Sequence, residues 1–166
     1  MATLDDATAV ATVVNRAYLL AEDFVEGERT SVDEIRRAIA TPNTCFLVLD
    51  DWPPAPGTLA AAVYVEVRGE RGYFGMLAVH PERQRQGLGS VMVAAAEELC
   101  RAAGCQHLDI EVVNLRDSLP PFYAALGFSA AGTAPFPTPA RLRRPAYLLK
   151  MTKPLEERDE ADPATP

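Results

Sequence analysis

The sequence predicts an α+β domain: a mixed, mostly antiparallel sheet with helices on its faces. Three observations predict it. Two amphipathic segments with helix-start signals open the chain, short apolar runs divided by turn residues follow, and a strand–helix–strand unit then calls for one parallel pairing.

Thr3 and Asp6 form a capping-box pair, and Val10, Val13, Val14, Ala17 and Tyr18 recur at helical spacing, so residues 4–21 read as an amphipathic helix. A loop through Glu26-Gly27-Glu28 follows. Ser31 with Glu34 caps a second helix, whose apolar face is Ile35, Ala38 and Ile39 and which closes before Pro42. Cys45-Phe46-Leu47-Val48-Leu49 is a buried strand, and Asp50 through Gly57 is turn chemistry. Residues 59–67 and 73–79 are two more strands, joined by a hairpin turn at Arg68-Gly69-Glu70-Arg71-Gly72. The period becomes helical again over residues 88–103, and Gly104 ends that helix. Residues 107–113 form a strand that lies parallel to 73–79 through a right-handed crossover. A short helix covers 119–126. Final strands fall near 128–133 and 146–152, on either side of Pro135-Phe136-Pro137-Thr138-Pro139.

With 166 residues, 48% of them apolar and 23% charged, the chain has the composition of one globular domain. We take it as a single domain over 1–154 with an acidic tail over 155–166. The tail contributes −4 to the net charge of −7 and is expected to be disordered. A pI near 4.8 argues against nucleic acid, since binding phosphates along a strand needs a positive surface. No apolar run has the length of a membrane span and Asp5 and Asp6 do not suit a secretory leader, so no membrane partner and a cytoplasmic location are expected. The three cysteines, Cys45, Cys100 and Cys105, do not form a disulfide framework. Cys100, Cys105 and His107 lack the fourth ligand and the spacing of a zinc site, so no metal is expected.

The chemistry concentrates in Leu77-Ala78-Val79-His80-Pro81-Glu82-Arg83-Gln84-Arg85-Gln86-Gly87-Leu88-Gly89-Ser90. A strand ends, a basic turn follows, and two glycines stand where a long helix begins. The free N–H groups of a helix start, with the positive end of its dipole behind them, suit a phosphate or pyrophosphate. The P-loop pattern is absent, and Met92 stands where a dinucleotide fingerprint needs its third glycine.

Gln84-Arg85-Gln86-Gly87-Leu88-Gly89 instead resembles the acetyl-CoA signature of the GCN5-related N-acetyltransferases. Leu77 to Pro81 looks like that family's strand end, and Pro121-Phe122-Tyr123-Ala124-Ala125-Leu126-Gly127-Phe128 looks like its recurrent aromatic block. The matches cover residues 72–130 in order. The resemblance implies a GNAT-type sheet whose central strands splay around the cofactor, and an enzyme that moves an acetyl group from acetyl-CoA to an amine. It further implies that the backbone of Leu77, Ala78 and Val79 pairs with pantetheine. The amides from Arg85 to Ser90 (Gln86, Gly87, Leu88 and Gly89 between them) would hold the pyrophosphate, with Gln84 opening the motif. Asn114 would bond the pantetheine chain. Tyr123 would be the general acid that protonates the leaving thiolate, and a backbone N–H near Leu77 would face the oxyanion. Dimers are common in the family, so a homodimer fits the resemblance.

The general base is open. Many members carry a glutamate where this chain has Gly75, and a glycine inside a strand reads as a bulge or close approach. Glu66 and Glu111, both on strands, are the substitutes, acting through water. His80 precedes Pro81 in a turn and reads as structural. The acceptor is expected at two loops. The acidic Glu22-Asp23-Phe24-Val25-Glu26-Gly27-Glu28-Arg29 would suit a cationic amine, and the basic Arg141-Leu142-Arg143-Arg144 an acid group. A small-molecule amine leads. Protein acetylation, which would call for an open acidic groove, and a CoA sensor without turnover are the alternatives.

Overall fold

A computed structural model of the chain describes residues 1–19, 21–51, 53 and 57–155. The acidic segment 156–166 and half of the turn between the first two strands lie outside the described residues. The elements run α1 (Ala7–Leu19), α2 (Val32–Ala40), β1 (Thr44–Asp50), β2 (Leu59–Arg68), β3 (Arg71–Val79), α3 (Leu88–Ala102), β4 (His107–Val113), α4 (Leu119–Ala125), β5 (Ser129–Pro135) and β6 (Tyr147–Pro154). Short 3₁₀ turns sit at Leu4–Asp6, Pro81–Arg83 and Pro139–Arg141.

Both predicted helix starts are present. The Asp6 carboxylate accepts from the Thr3 N–H at 2.7 Å, and Ser31 exchanges bonds with Glu34 in a full capping box. The six strands form one sheet in the order β1-β2-β3-β4-β6-β5, antiparallel except where β3 meets β4. This is the mixed α+β sheet that the pattern predicts. The last strand in sequence is not at the edge, because β6 inserts between β4 and β5.

The core has two layers. The α1 face, with Val10, Val14 and Ala17, packs with Ile35, Phe46, Ala62 and Ala78 on one side of the sheet. Met92, Val93, Ala96 and Cys100 of α3 pack on the other, with Val63, Val65, Phe74 and Leu108. Strand β2 is therefore buried on both faces and reads as a continuous apolar run. Cys100 and Cys105 are buried thiols, and among the described residues no group of three or more His, Cys, Asp or Glu could hold a metal ion. No described helix is long and apolar enough to cross a membrane. Leu155, taken above as the first tail residue, belongs to the core: it is buried, and its N–H donates to the Gln106 carbonyl at 2.8 Å.

The hairpin before β3 is tighter than expected. Arg68 pairs with Arg71 and Val67 with Gly72, leaving only Gly69 and Glu70 in the turn. Gly72 is a strand residue, and its glycine answers a packing demand. A Cβ there would lie 2.9 Å from the Cys100 Cβ and 3.1 Å from a Leu108 methyl carbon, so α3 presses against bare backbone at this point.

Candidate active site

The site begins where β3 and β4 part. They pair only at Arg71 with His107, Gly72 with Leu108 and Tyr73 with Asp109. Beyond Asp109 the two strands diverge, and β4 goes on pairing with β6 alone. The cause lies in β3: against β2, Ala62 opposes Ala78 and Tyr64 opposes Gly75, so one extra residue is accommodated between them. Met76 carries the distortion, with φ of +46°. The bulge expected at Gly75 is therefore present, but the left-handed residue is its neighbour. Such a conformation in a side-chain-bearing residue is held only where its surroundings impose it, and it recurs at ligand sites.

Between the diverging strands lies a cleft of about 610 Å³, lined by Gly75, Met76, Leu77 and Val79 on one wall and Ile110 to Val113 on the other. One end is closed by the turn into α3, where Gln84, Arg85, Gly87, Leu88, Gly89 and Ser90 also face the cleft. Arg85 has φ of +63° and Gly87 of +78°, and Gly87 is the N-cap of α3. An L side chain at position 87 would be strained whatever the space. The first amides of α3 have no carbonyl of their own helix to bond. Gln84 Nε2 donates to the Val79 carbonyl at 3.2 Å, and Arg83 is anchored on Asp51 at 2.7 Å. These bonds tie the turn to the sheet. The arrangement suits an extended chain with a pyrophosphate at one end: a free strand edge leads to a ring of free amides.

Tyr123, on α4, is buried against Phe74, Phe122 and Phe128, with ring centroids 5.0–5.9 Å away. It lines the cleft, and its hydroxyl bonds no other described residue. No fully enclosed side-chain oxygen or nitrogen among the described residues lacks a partner, so this hydroxyl opens into the cleft. Burial drives its pKa well above the ordinary tyrosine value, which keeps the proton on the oxygen.

The other expected site residues divide. Glu111 lines the cleft. Glu66 lines neither cavity described here. Its carboxylate accepts from Arg68 at 2.8 Å and from the Tyr64 hydroxyl at 3.2 Å, and the Arg68 bond, more than any other effect, holds its pKa below the usual range. Asn114 accepts from the Tyr147 N–H through its side-chain oxygen at 2.8 Å, closing the β4–β6 ladder, and does not line the cleft. Gln86 reaches back to the Glu82 carbonyl at 3.5 Å. Ala78 turns its side chain into the α1 layer, so only its backbone is available to a ligand.

Gly75 has a second explanation. A Cβ there would stand 3.0 Å from the Tyr73 hydroxyl, two residues back on the same face. Tyr73 occupies the space where a side chain at 75 would project. Burial first, and then Glu111, raise the Tyr73 pKa to about 12. Nothing in the sequence singles out Tyr73, because one tyrosine in a strand has no signal apart from packing.

A second cavity, about 850 Å³, lies between α1 and the 22–32 segment, lined by Asn15, Thr30, Val32 and Arg143 among others. Tyr18, Glu22 and Arg29 line both cavities. Arg29 lies over the Tyr18 ring at 5.3 Å. Glu22 is half-buried, and burial raises its pKa against the opposing pull of Arg29, Arg116 and Arg141. The two charged loops do not present separate fields. The Glu26 N–H donates to the Arg141 carbonyl at 2.8 Å, the Arg143 N–H to the Phe24 carbonyl at 2.9 Å, and Val25 forms a β-bridge with Leu142. Arg144 meets Asp23 at 3.2 Å and Arg143 meets Glu26 at 3.9 Å. Much of the loop charge is neutralised internally, and the strap this makes walls the second cavity.

The parallel seam thus forks over the start of α3, and Tyr123 lines the cleft between its arms. The profile of the acetyltransferase (GNAT) family matches residues 14–128, and the chain belongs to that family. It is an acetyl-CoA-dependent acetyltransferase. No curated protein matches the sequence. Among solved structures it is similar to the ribosomal-protein-S18-alanine N-acetyltransferase of Escherichia coli, with a TM-score of 0.73, 20% identity and coverage of 97% of this chain and 95% of that one. YncA of Salmonella typhimurium, described as an acetyltransferase and solved with its cofactor acetyl-CoA, gives 0.72, 16% identity and 98% and 96% coverage. The PaiA N-acetyltransferase of Thermoplasma acidophilum, in complex with coenzyme A, gives 0.72, 15% identity and 92% and 95% coverage.

Proposed function

We propose that this acetyltransferase passes its acetyl group to a primary amine of a small molecule, by direct attack in a ternary complex. The observation that carries the acceptor half is the second cavity. It borders the cofactor cleft along Tyr18, Glu22 and Arg29 and is walled by the strap from Phe24 to Arg144. A cavity of about 850 Å³ has the size of a small-molecule site.

In this reading the backbone of Leu77, Ala78 and Val79 lies along the pantetheine arm, and the amides from Arg85 to Ser90 face the pyrophosphate. A main-chain N–H near Leu77 stabilises the oxyanion that forms as the amine attacks. Tyr123 gives its proton to the departing thiolate. Its raised pKa keeps it protonated at neutral pH, as an acid must be. Of the two strand carboxylates, Glu111 faces the cleft and Glu66 is held by Arg68.

The test is thiol release from acetyl-CoA over a panel of small amines, amino acids and peptides, with acetylated products identified by mass. The reading expects release with small amines and none beyond background with peptides. Release with peptides alone would reverse the choice of acceptor, and tight acetyl-CoA binding with no release would favour a sensor.

A further inference from the structure

Four carboxylates lie in the acidic loop, and the fold treats them differently. Asp23 is paired with Arg144 and Glu26 with Arg143. Glu28 is exposed at the rim, its carbonyl bound by the Arg141 guanidinium. Glu22 is half-buried, and its carboxylate makes no hydrogen bond or ion pair with another described residue. Among the described residues it is also the one carboxylate that lines both the cofactor cleft and the second cavity. A partly buried acid with no hydrogen bond or close ion pair is a cost that folds rarely carry without use.

We propose that Glu22 is the acceptor-amine residue, which receives the substrate's ammonium at the junction of the two cavities and takes its proton. This rests on the amine-acetyltransferase reading above and names the base that the strand positions leave open. The acceptor enters as R–NH3⁺, the charge that a carboxylate at the junction attracts. One proton passes to the Glu22 carboxylate, and the freed lone pair forms the C–N bond at the thioester carbonyl carbon. The C–S bond then breaks. Tyr123 protonates the sulfur, and the surplus proton of the new amide nitrogen restores its hydroxyl. Glu22 returns its proton to solvent, so the products are the acetamide, the free thiol and one proton.

The surroundings set the direction of the pH dependence. Tyr18 on α1, Arg29 on the same loop, Arg116 after β4 and Arg141 before β6 act electrostatically on Glu22 or share its cavity walls, with Asp23 and Glu28 beside it. Burial raises its pKa above the usual carboxylate value, and the three guanidinium groups limit the rise. The active form is the carboxylate, so turnover falls on the acid side as Glu22 takes up a proton.

The experiment compares the full-length enzyme with its Glu22→Gln and Glu111→Gln variants on the best primary amine of the panel and on methoxyamine, an acceptor already neutral at pH 7. For Glu22→Gln we expect kcat on the primary amine to fall on the order of 10²-fold. The acid limb of its pH profile should disappear, with KM for acetyl-CoA little changed. Methoxyamine should lose under about threefold, a rescue that a structural role for Glu22 would not produce. Equal losses on both acceptors, or loss of the acid limb in Glu111→Gln but not in Glu22→Gln, would overturn the proposal. No release by the wild-type enzyme with any amine would overturn the underlying reading as well, and is told apart by that wild-type control.

Discussion

The seam between β3 and β4 differs at its two ends. At the Arg71–Tyr73 end the strands are bonded, the Arg71 guanidinium holds Asp109 at 2.6 Å, and α3 lies hard against Gly72. At the Met76–Val79 end the same strands have parted around a cleft, and the backbone is twisted at Met76. One end is closed and the other open. Residues at the closed end should matter to stability and residues at the open end to binding and turnover, although they lie a few positions apart on the same strands.

The sharpest separation should come from Tyr123→Phe. The ring contacts with Phe74, Phe122 and Phe128 remain while the hydroxyl is lost, so kcat should fall on the order of 10²-fold with thermal stability unchanged. A thiolate is a tolerable leaving group, which keeps the loss at the lower end of what a general acid contributes. Full retained turnover would remove the acid role.

Gly72→Ala should do the opposite. The added methyl meets Cys100 and Leu108, and denaturant titration should show about 2 kcal/mol of lost stability, the scale of an overpacked core. Where folded, this variant should still bind acetyl-CoA. Gly87→Ala moves the effect back to the open end. Its φ of +78° penalises a side chain although nothing lies within 4 Å, so the turn before α3 must shift. Affinity for acetyl-CoA, measured calorimetrically, should drop about tenfold, or 1.4 kcal/mol.

The smallest effect belongs to Asp109→Asn. Burial tends to raise the Asp109 pKa, but the bonds from Arg71 and Thr152 prevail and hold it below the usual value. The pair therefore stabilises the fold above the unfolded carboxylate pKa, and that contribution is lost as pH falls through the lowered folded value. Being partly exposed, it is worth under about 1 kcal/mol. The variant should lose that much at neutral pH and show a flatter stability profile below about pH 4.

These differences also explain what is legible in the sequence. The cleft-lining segment is legible in the sequence because its signals are local. A helix start with Gly87 and Gly89, a strand running into it, and the Phe122–Phe128 block each fit within a few residues. Gly72 was misread as turn chemistry because the helix that presses on it lies 28 residues later, at Cys100. The insertion of β6 between β4 and β5 leaves no local mark, since it depends on pairings such as Ile110 with Met151. The loop charges were legible as charges, but their mutual neutralisation spans more than 100 residues and shows only when Asp23 and Arg144 are brought together. Glu22 is legible only as one acid of its loop: its burial, its lack of a close ion pair and its place on both cavities appear only in the fold.

The most direct test of the central claim is residue-level hydrogen exchange with and without acetyl-CoA. Bound acetyl-CoA should slow exchange at the amides of residues 75–79 and 85–90 and leave residues 71–73 unchanged. Protection spread evenly along β3, or absent from the α3 turn, would contradict it.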